Sequence, residues 1–518
     1  MSLGWLEAAD NYTRAALPRP AEILPHTLLH IGRTPATASP LPILGRGRGI
    51  SPAGDAEPLR GSAGSAGSAG ASPAYTTTHL SLPSPGISAL HCTLWGVRFD
   101  AQSEPQCYVR DDASRNGTRL NGAPLPRGLP CLLSAGDILQ LPAPGCASIQ
   151  GRHPDVTGDI SDITPDATVT APRWFRLRFR GVEGAQTAAH NLEGAPSAAT
   201  PPVAAPAPWQ ITPRLIGSGT FGQVLVCTRG NSPTRYAVKV VTRRAGHPHA
   251  DAEREARILA SLTHPNIVAV HCVHVCGPQL LLFQDLVCGG DLFAYLARGD
   301  RLAPLPEYEA LVVVYQVLCA LRYMHARGVV HRDLKLDNVL LAAPEPCARV
   351  VLADFGIARE LASPRQRMHT VVGTPEYCAP EVGFGRVRGG RGNLHSQYTQ
   401  LSRLATVEQV SRYGYSRKCD LWSLGVLTHI VLTGVSPFYG DGVQEGMVQR
   451  AAKGKLEMHG SAWEGVSSDA RGFVAALLEV SEEQRCDAQG AMRLRWVRRH
   501  RGVLRRVYSK IVGGGGDM

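Results

Sequence analysis

The chain has 518 residues, 44% hydrophobic and 19% charged, so it can bury sizeable cores and is long enough for two or three domains. Its 54 Lys and Arg exceed its 43 Asp and Glu, which leaves a formal net charge of +11. Residues 493–510 contribute +8 of this charge and residues 386–418 contribute +6, so the rest of the chain is close to neutral. Because the excess is local, we do not expect direct binding to nucleic acid.

The sequence does not indicate a membrane or secretory segment. No run of about 18 apolar residues is present, and residues 1–14 lack the basic start and apolar core of a signal peptide. The 13 cysteines are scattered without a CxxC pair, which is typical of free thiols in a reducing compartment. We therefore expect a soluble intracellular protein.

The N-terminal part reads as short strands separated by turn residues. The strand-like runs are LLHIGR, ALHCTLWGVRF, CYVRD, DILQL and WFRLRFR. This rhythm predicts an all-β sandwich. After a Pro- and Ala-rich stretch, strand-like runs begin again and then give way to helices, of which 310–328 is the clearest. The two patterns predict two domains of different class.

Low-complexity stretches set the domain boundaries, because their composition cannot bury enough apolar surface to offset the entropy of ordering. We divide the chain into an N-terminal domain (22–182, signature core 29–122, inserts at about 46–73 and 142–172), a linker (183–208), a second domain (209–500, insert at about 383–411) and a basic, Gly-rich tail (501–518).

Three short patterns follow one another in the N-terminal domain. Arg33 ends a strand, Ser88 and His91 lie in ISALHCTL, and Asn116 lies in SRNGTRLNG. This ordered set resembles the forkhead-associated (FHA) domain, a β-sandwich that binds phosphothreonine. The resemblance implies that Arg33 binds the phosphate, Ser88 supplies a hydroxyl donor and Asn116 supplies an amide for the peptide backbone. His91 is interpreted as a structural core residue.

Two departures from the FHA pattern leave an alternative open. The segment between Arg33 and Ser88 is long, and Ala89 and Leu90 stand where many members have polar or basic residues. A degenerate domain that binds no phosphopeptide is the alternative.

The second domain opens with a glycine-rich sequence, IGSGTFGQV, at 216–224. Its glycines leave room for the backbone to close over phosphate groups. Lys239 follows in YAVKV, and Glu255 lies on a predicted amphipathic helix. We interpret Glu255 as the ion-pair partner that holds Lys239 toward phosphate oxygens.

Two further motifs carry the chemistry of phosphoryl transfer. HRDLKLDNVLL begins at residue 331 and ADFGI at residue 353. Asp333 is suited to accept the proton of a substrate hydroxyl, and Asn338 and Asp354 provide oxygen ligands for two magnesium ions. Lys335 can neutralise charge on the transferred group.

Residues 209–500 thus resemble the eukaryotic protein kinase family, an α+β fold of two lobes, with every catalytic motif present. Lys335 and the GTPEY sequence place the resemblance in the serine/threonine branch. The resemblance implies ATP and two Mg²⁺ ions as cofactors, Gln284 as the residue before the adenine-binding hinge, and an ion pair between Arg485 and Glu381. The residues expected to form the ATP site are Ile216, Gly217, Ser218, Gly219, Thr220, Phe221, Gly222, Gln223, Val224, Lys239, Glu255, Asp285, Val287 and Asp291.

Acidic residues and threonines outside the catalytic loop suggest substrate choice and regulation. Asp291 and Asp337 match positions that bind a substrate arginine in basophilic kinases, so we expect Arg three residues before the acceptor. The alternative is that Asp291 contacts only the ribose and Asp337 is merely exposed. Thr370 and Thr374 match activation-loop phosphorylation sites, and Arg332 could pair with a phosphothreonine. We favour Thr370 as the switch, with a structural role as the alternative for Thr374.

Together the modules resemble the checkpoint kinase 2 family, which includes DNA-damage effector kinases and a meiosis-specific relative. The resemblance implies a nuclear kinase recruited by phosphothreonine proteins and activated by an upstream kinase or by trans-autophosphorylation. A meiotic or other signalling kinase, and a scaffold whose kinase fold serves for docking, are the alternatives. The basic run at 498–506 predicts a nuclear-localisation signal, with a solvated helix face as the alternative.

Overall fold

The structure is a computed structural model of the full chain. The structure describes residues 3–33, 75–99, 103, 105–144, 174–181, 205–219, 222–230, 232, 234–242, 250–363, 365–370, 372–382, 414–438, 450–451, 453–454, 456 and 458–513. The predicted insert at 46–73, nearly all of that at 142–172, most of the linker and the insert at about 383–411 lie outside these residues. So do Thr220 and Phe221 of the glycine-rich sequence.

Two sheets form the N-terminal domain. Its elements are β1 (Gly4–Ala8), α1 (Asn11–Ala16), β2 (Ala21–Ile23), β3 (Thr27–Gly32), β4 (Thr76–Ser81), β5 (Cys92–Val97), β6 (Gln106–Asp111), β7 (Arg119–Leu120), β8 (Ala123–Pro124), β9 (Cys131–Leu132), β10 (Ile138–Pro142) and β11 (Trp174–Gly181). One sheet has the order β2-β1-β11-β10-β7-β8 and the other the order β4-β3-β5-β6-β9. The predicted sandwich is confirmed.

Alternating burial explains how the two sheets pack. In β11 the residues Phe175, Leu177 and Phe179 are buried while the arginines between them are exposed, as expected for a strand with one face on a core. They pack with Leu94 of β5 in the core between the sheets. Strand β1 pairs with β11, so the sandwich also contains residues that precede position 22.

Among its described residues, the small lobe of the second domain is an antiparallel sheet with one helix. It contains β12 (Trp209–Gly219), β13 (Gly222–Arg229), β14 (Arg235–Thr242), α2 (Ala250–Ala260), β15 (Val270–Cys276) and β16 (Gln279–Asp285). The strand order is β12-β13-β14-β16-β15. Val238, Leu281 and Phe283 form its buried core with Trp209.

The large lobe is mainly helical. Its helices are α3 (Leu292–Leu296), α4 (Glu307–Ala326), α5 (Cys419–Thr433), α6 (Ser468–Leu477), α7 (Ala488–Ala491), α8 (Arg495–Arg499) and α9 (Arg501–Gly513). Short strands pair as β17 (Ala297–Arg298) with β18 (Arg301–Leu302), β19 (Val329–Val330) with β22 (Arg359–Glu360), and β20 (Val339–Leu341) with β21 (Val350–Leu352). Short 3-10 turns cover Leu336–Asn338, Pro375–Tyr377, Pro380–Val382 and Ser461–Trp463.

The basic segment after residue 500 is helical and packs on both lobes, with the Tyr508 ring 5.8 Å from the Tyr315 ring of α4 in the large lobe. Leu504 of α9 is buried, and the hydroxyl of Tyr508 donates to Asn266 Oδ1 over 2.8 Å. Arg501, Arg505 and Arg506 on the same helix are exposed. Within the described part of the chain, no helix combines the length and apolar character needed to cross a membrane.

Candidate active site and phosphopeptide site

The glycine-rich sequence forms a hairpin between β12 and β13. Gly217 lies opposite Val224, Ser218 opposite Gln223, and Gly219 opposite Gly222. Gly222 has a φ of +138°, and a Cβ there would lie 2.2 Å from the carbonyl oxygen of Val240. Only glycine fits this position, which brings the hairpin close to β14.

Lys239 joins the two lobes of the kinase domain. Its Nζ lies 2.7 Å from Oε1 of Glu255 on α2 and 3.1 Å from Oδ1 of Asp354 in the large lobe. Burial alone would lower the pKa of Lys239, but the two carboxylates outweigh burial and raise it. Lys239 is therefore held as a cation at the place that the sequence predicts for phosphate oxygens.

The catalytic loop brings Asp333, Lys335, Asn338 and Thr374 together. Asn338 Nδ2 donates to Asp333 Oδ2 over 3.0 Å, and Lys335 Nζ lies 3.1 Å from the same oxygen. Thr374 donates its backbone N–H and its hydroxyl to Asp333 Oδ1, and Lys335 donates to the Thr374 hydroxyl over 3.1 Å. The carboxylate of Asp333 is thus oriented by four donors and can accept the proton of a substrate hydroxyl.

Asn338 and Asp354 fit the role of magnesium ligands. Both carry hard oxygen donors, the kind that Mg²⁺ prefers. Burial would raise the pKa of Asp354, but the neighbouring Lys239 outweighs burial and lowers it, so the side chain stays ionised. A bound Mg²⁺ would neutralise charge on the phosphates of ATP.

Asp420 organises the catalytic loop from behind, and the sequence reasoning assigned it no role. Its carboxylate is 0% exposed and accepts the backbone N–H groups of His331 over 3.0 Å and Arg332 over 2.9 Å. His325 Nε2 lies 2.8 Å from the same carboxylate. Burial would raise the pKa of Asp420, but these donors lower it. The DLWSLG sequence at residue 420 was the available signal.

The activation segment is held to the catalytic loop at Thr370. Arg332 donates from Nη1 to the Thr370 hydroxyl over 2.7 Å, and the hydroxyl of Tyr415 donates to the Thr370 carbonyl over 2.7 Å. Further on, Arg485 makes a bidentate pair with Glu381 at 2.6 and 3.0 Å. The phosphorylation of Thr370 or Thr374 stays a prediction.

The predicted hinge residues line the junction of the lobes. Asp285 ends β16 and pairs with His271, and Val287 is buried. Asp291 is 9% exposed and caps α3 by accepting the N–H of Ala294 over 2.7 Å. Burial raises the pKa of Asp291 to about 6.

At one end of the sandwich the structure brings Arg33, Ser88 and Asn116 onto neighbouring loops. The N–H of Arg33 donates to the Ser88 carbonyl, and the Ser88 hydroxyl accepts the N–H of Arg115 over 3.0 Å. Asn116 Nδ2 donates to the Gly86 carbonyl over 2.7 Å. The guanidinium-bearing Arg33 is exposed, so a charged ligand can reach it.

Two buried residues hold these loops, and the sequence reasoning missed one of them. His91, which is completely buried, contacts the Ser88 N–H and the Gly117 carbonyl. Asp111, the residue that was missed, accepts the N–H and hydroxyl of Ser114 and the hydroxyl of Thr118. Asp111 therefore fixes the loop that carries Asn116.

Comparison with known families agrees with both sites. The protein kinase domain family matches residues 211–497, and the FHA domain family matches residues 65–142. The chain belongs to the protein kinase family and is a serine/threonine protein kinase with an FHA domain, as the motifs predict. A protein kinase domain implies ATP and a divalent metal cation.

Three individual protein kinases show how similar this chain is to known relatives. The chain is 43% identical over 441 residues to the meiosis-specific serine/threonine-protein kinase MEK1 of Saccharomyces cerevisiae, which covers 83% of this chain and 80% of the relative. It is 30% identical over 421 residues to the meiosis-specific serine/threonine-protein kinase mek1 of Schizosaccharomyces pombe, and the alignment covers 81% of this chain and 79% of that protein. Calcium/calmodulin-dependent protein kinase type 1B of Homo sapiens is 32% identical over 291 residues, 56% of this chain and 75% of that protein.

Proposed function

We propose that this kinase acts in meiosis and is recruited to its substrates by phosphothreonine. The observation that carries the proposal is the 43% identity to a meiosis-specific kinase across 83% of the chain, a span that includes both domains. The resemblance to the checkpoint kinase 2 family supports the same scheme, in which a phosphothreonine signal is relayed by phosphorylation. A DNA-damage or replication effector outside meiosis is the second candidate, because that resemblance also covers such kinases.

Replacement in Saccharomyces cerevisiae tests the meiotic proposal. The coding sequence of the relative is exchanged for that of this chain, and meiotic progression and spore viability are compared with strains that carry the original kinase or none. We expect the chain to restore both. Restoration only of growth after DNA breaks in mitotic cells would favour the second candidate.

An Asp333→Ala variant separates an enzyme from a scaffold in the same strains. Because Asp333 is the only proposed proton acceptor, the variant should fail to restore meiosis while the protein accumulates normally. If the variant restores meiosis as well as the wild type, the kinase fold serves for docking.

Recruitment rests on the loop end of the sandwich. The exposed Arg33 lies beside Ser88, whose carbonyl accepts the Arg33 N–H, and an arginine beside a hydroxyl is suited to phosphate. Calorimetric titration with phosphothreonine peptides should show binding that Arg33→Ala abolishes. Arg98→Ala is the matched control, because Arg98 is an exposed arginine on the same domain. A wild type that binds no phosphothreonine peptide would indicate a degenerate domain, and equal affinity of the two variants would show that Arg33 does not bind the phosphate.

We also propose a preference for arginine three residues before the acceptor. Asp337 is exposed beside the catalytic loop, and burial, together with the charge of Asp337, raises the pKa of Asp291. A peptide library with wild type and Asp337→Asn measures the preference, which should weaken in the variant. A wild type with no gain from arginine would refute it.

Localisation, activation and metal number complete the proposal. Arg498, Arg499, Arg501, Arg505 and Arg506 are all exposed, which supports a nuclear-localisation signal that can be reached by a receptor. Replacing all five with glutamine should exclude a fluorescent fusion from the nucleus.

We further propose that Asn338 and Asp354 bind two magnesium ions, which is tested by measuring kinase activity as a function of Mg²⁺ concentration. We also propose that the kinase is activated by phosphorylation, either by an upstream kinase or in trans, which is tested by mass spectrometry of the activation segment.

A further inference from the structure

In the FHA sheet with the order β4-β3-β5-β6-β9, the central strands β5 and β6 are buried on both faces. Leu94 of β5 and Val109 of β6 point into the sandwich core. Their neighbours Trp95 and Tyr108 are both 0% exposed and belong to the hydrophobic cluster of the kinase domain. Neighbouring residues on a strand face opposite sides of a sheet, so the outer face of this sheet is an interface with the kinase.

This interface reaches the hinge directly. The indole N–H of Trp95 donates to the carbonyl of Cys288 over 2.9 Å, and both groups are buried. Cys288 follows Val287, which is expected to contact adenine. A hydrogen bond of this kind fixes the backbone immediately after the nucleotide-binding segment.

The same FHA sheet also holds the small lobe. Arg214 of β12 donates from Nη1 to the carbonyl of Leu133 over 2.9 Å, and Gln106 Nε2 donates to the carbonyl of Leu215 over 3.4 Å. Strand β12 leads into the glycine-rich hairpin.

The large lobe of the kinase also contacts the FHA domain. Tyr75, next to β4, stacks on Tyr295 of α3 with 5.5 Å between ring centroids. Arg110 Nη2 lies 2.6 Å from Glu345 Oε1. The FHA domain is therefore bonded to the hinge and to both lobes that move around it.

We propose that the FHA domain braces the kinase hinge and thereby strengthens nucleotide binding, with Trp95 as a positioning residue. Kinase lobes rotate about the hinge, and a body attached to both lobes disfavours angles that would break its contacts. At the braced angle Lys239 pairs with Glu255 of the small lobe and Asp354 of the large lobe. The brace thus favours the arrangement that holds phosphates, and losing it lowers the competent fraction and the apparent affinity.

A pair of full-length variants tests the brace. Trp95→Phe keeps an aromatic ring but removes the indole donor. Tyr108→Phe is the matched control, because the two rings stack at 5.9 Å and the Tyr108 hydroxyl has no hydrogen-bond partner among the described residues. The dissociation constant and dissociation rate of a fluorescent ADP are measured, with circular dichroism to verify folding.

We expect Trp95→Phe to weaken ADP binding about 2- to 10-fold, the effect of one hydrogen bond, and to raise the dissociation rate. Tyr108→Phe should match the wild type. Unchanged ADP binding in a folded Trp95→Phe protein would overturn the brace, as would equal weakening by both variants.

Hydrogen exchange of the wild type provides a second measurement that does not depend on a variant. If the brace is present, ADP slows exchange of amides in β5 and β6, because ligand and interface stabilise one another. If ADP does not change the exchange rates of the amides in β5 and β6, the brace is contradicted. Both tests use only the kinase and its nucleotide, so their outcome is separate from that of the meiotic proposal.

Discussion

Arg332 donates a 2.7 Å hydrogen bond to the hydroxyl of Thr370, and this contact joins the catalytic loop to the activation segment. Arg332 itself has a φ of +70° and is fixed by donating its N–H to Asp420 and its Nε–H to the carbonyl of Ile357. A residue held in this strained region is over-determined by its surroundings. The guanidinium is thus positioned before any phosphate arrives.

The first prediction concerns Thr370 as a switch. Phosphate on Thr370 would form charge-assisted hydrogen bonds with Arg332. Thr370→Ala should lower kcat about 10- to 100-fold, the equivalent of roughly 1.4–2.8 kcal/mol, and Thr370→Ser should stay active. Steady-state assays before and after phosphatase treatment measure the effect. A Thr370→Ala enzyme as active as the phosphorylated wild type would rule out this switch.

The second prediction gives Thr374 a different role. Its hydroxyl contacts both Asp333 and Lys335, so Thr374→Ala should lower kcat by about tenfold with little change in the KM for ATP. Thr374→Ser should retain activity, and Thr374→Asp should be worse than alanine because it places a carboxylate beside Asp333. Recovery of activity in Thr374→Asp would instead indicate a phosphorylation switch.

The third prediction concerns the stability of the large lobe. Arg485 is 1% exposed, makes a bidentate pair with Glu381 and lies 5.0 Å over the Trp422 ring. Arg485→Ala leaves the half-buried Glu381 carboxylate unpaired and opens a cavity under Trp422, so it should cost on the order of 3 kcal/mol in the free energy of unfolding. Urea unfolding followed by tryptophan fluorescence measures this loss.

The control for Arg485 is an exposed arginine that pairs with a carboxylate of similar burial to Glu381. Arg495 is 71% exposed and pairs with Asp469 over 3.1 Å. Arg495→Ala should change the free energy of unfolding by less than about 1 kcal/mol. Similar losses for both arginines would mean that burial of the Arg485 side chain is not what stabilises the large lobe.

The fourth prediction is a pH dependence that arises at His429. Burial lowers the pKa of His429 to about 4, and the ring contacts the Val435 carbonyl and Trp463. Between pH 6.5 and 4 the unfolded chain binds a proton that the folded chain does not. The contribution of neutral His429 to the free energy of unfolding is therefore fully present above pH 6.5. It falls by on the order of 3 kcal/mol as the pH is lowered to about 4.

Urea midpoints between pH 7 and 4.5 test the role of His429. His429→Gln should show a shallower loss of stability than the wild type, while His459→Gln, at an exposed position, should follow the wild type. Identical pH profiles for all three proteins would contradict the assignment.

The sequence by itself determined the class of each domain and the residue types of both sites. Alternating runs such as WFRLRFR have one buried face in the structure, and HRDLKLDN supplies Asp333, Lys335 and Asn338 as a connected group. These features are readable because strand periodicity and motif chemistry depend on residues close together in the chain.

Only the tertiary structure decided which distant residues hold those sites. Asp420 is 88 residues from Arg332, to which it bonds, and Asp111 orients a loop through Ser114 and Thr118. Trp95 is 193 residues from Cys288, to which it bonds. The alternating pattern of strand β5 shows only that Trp95 faces away from the core residues on either side of it. Whether the second face of that sheet meets water or the kinase hinge depends on domain packing, which no local pattern encodes.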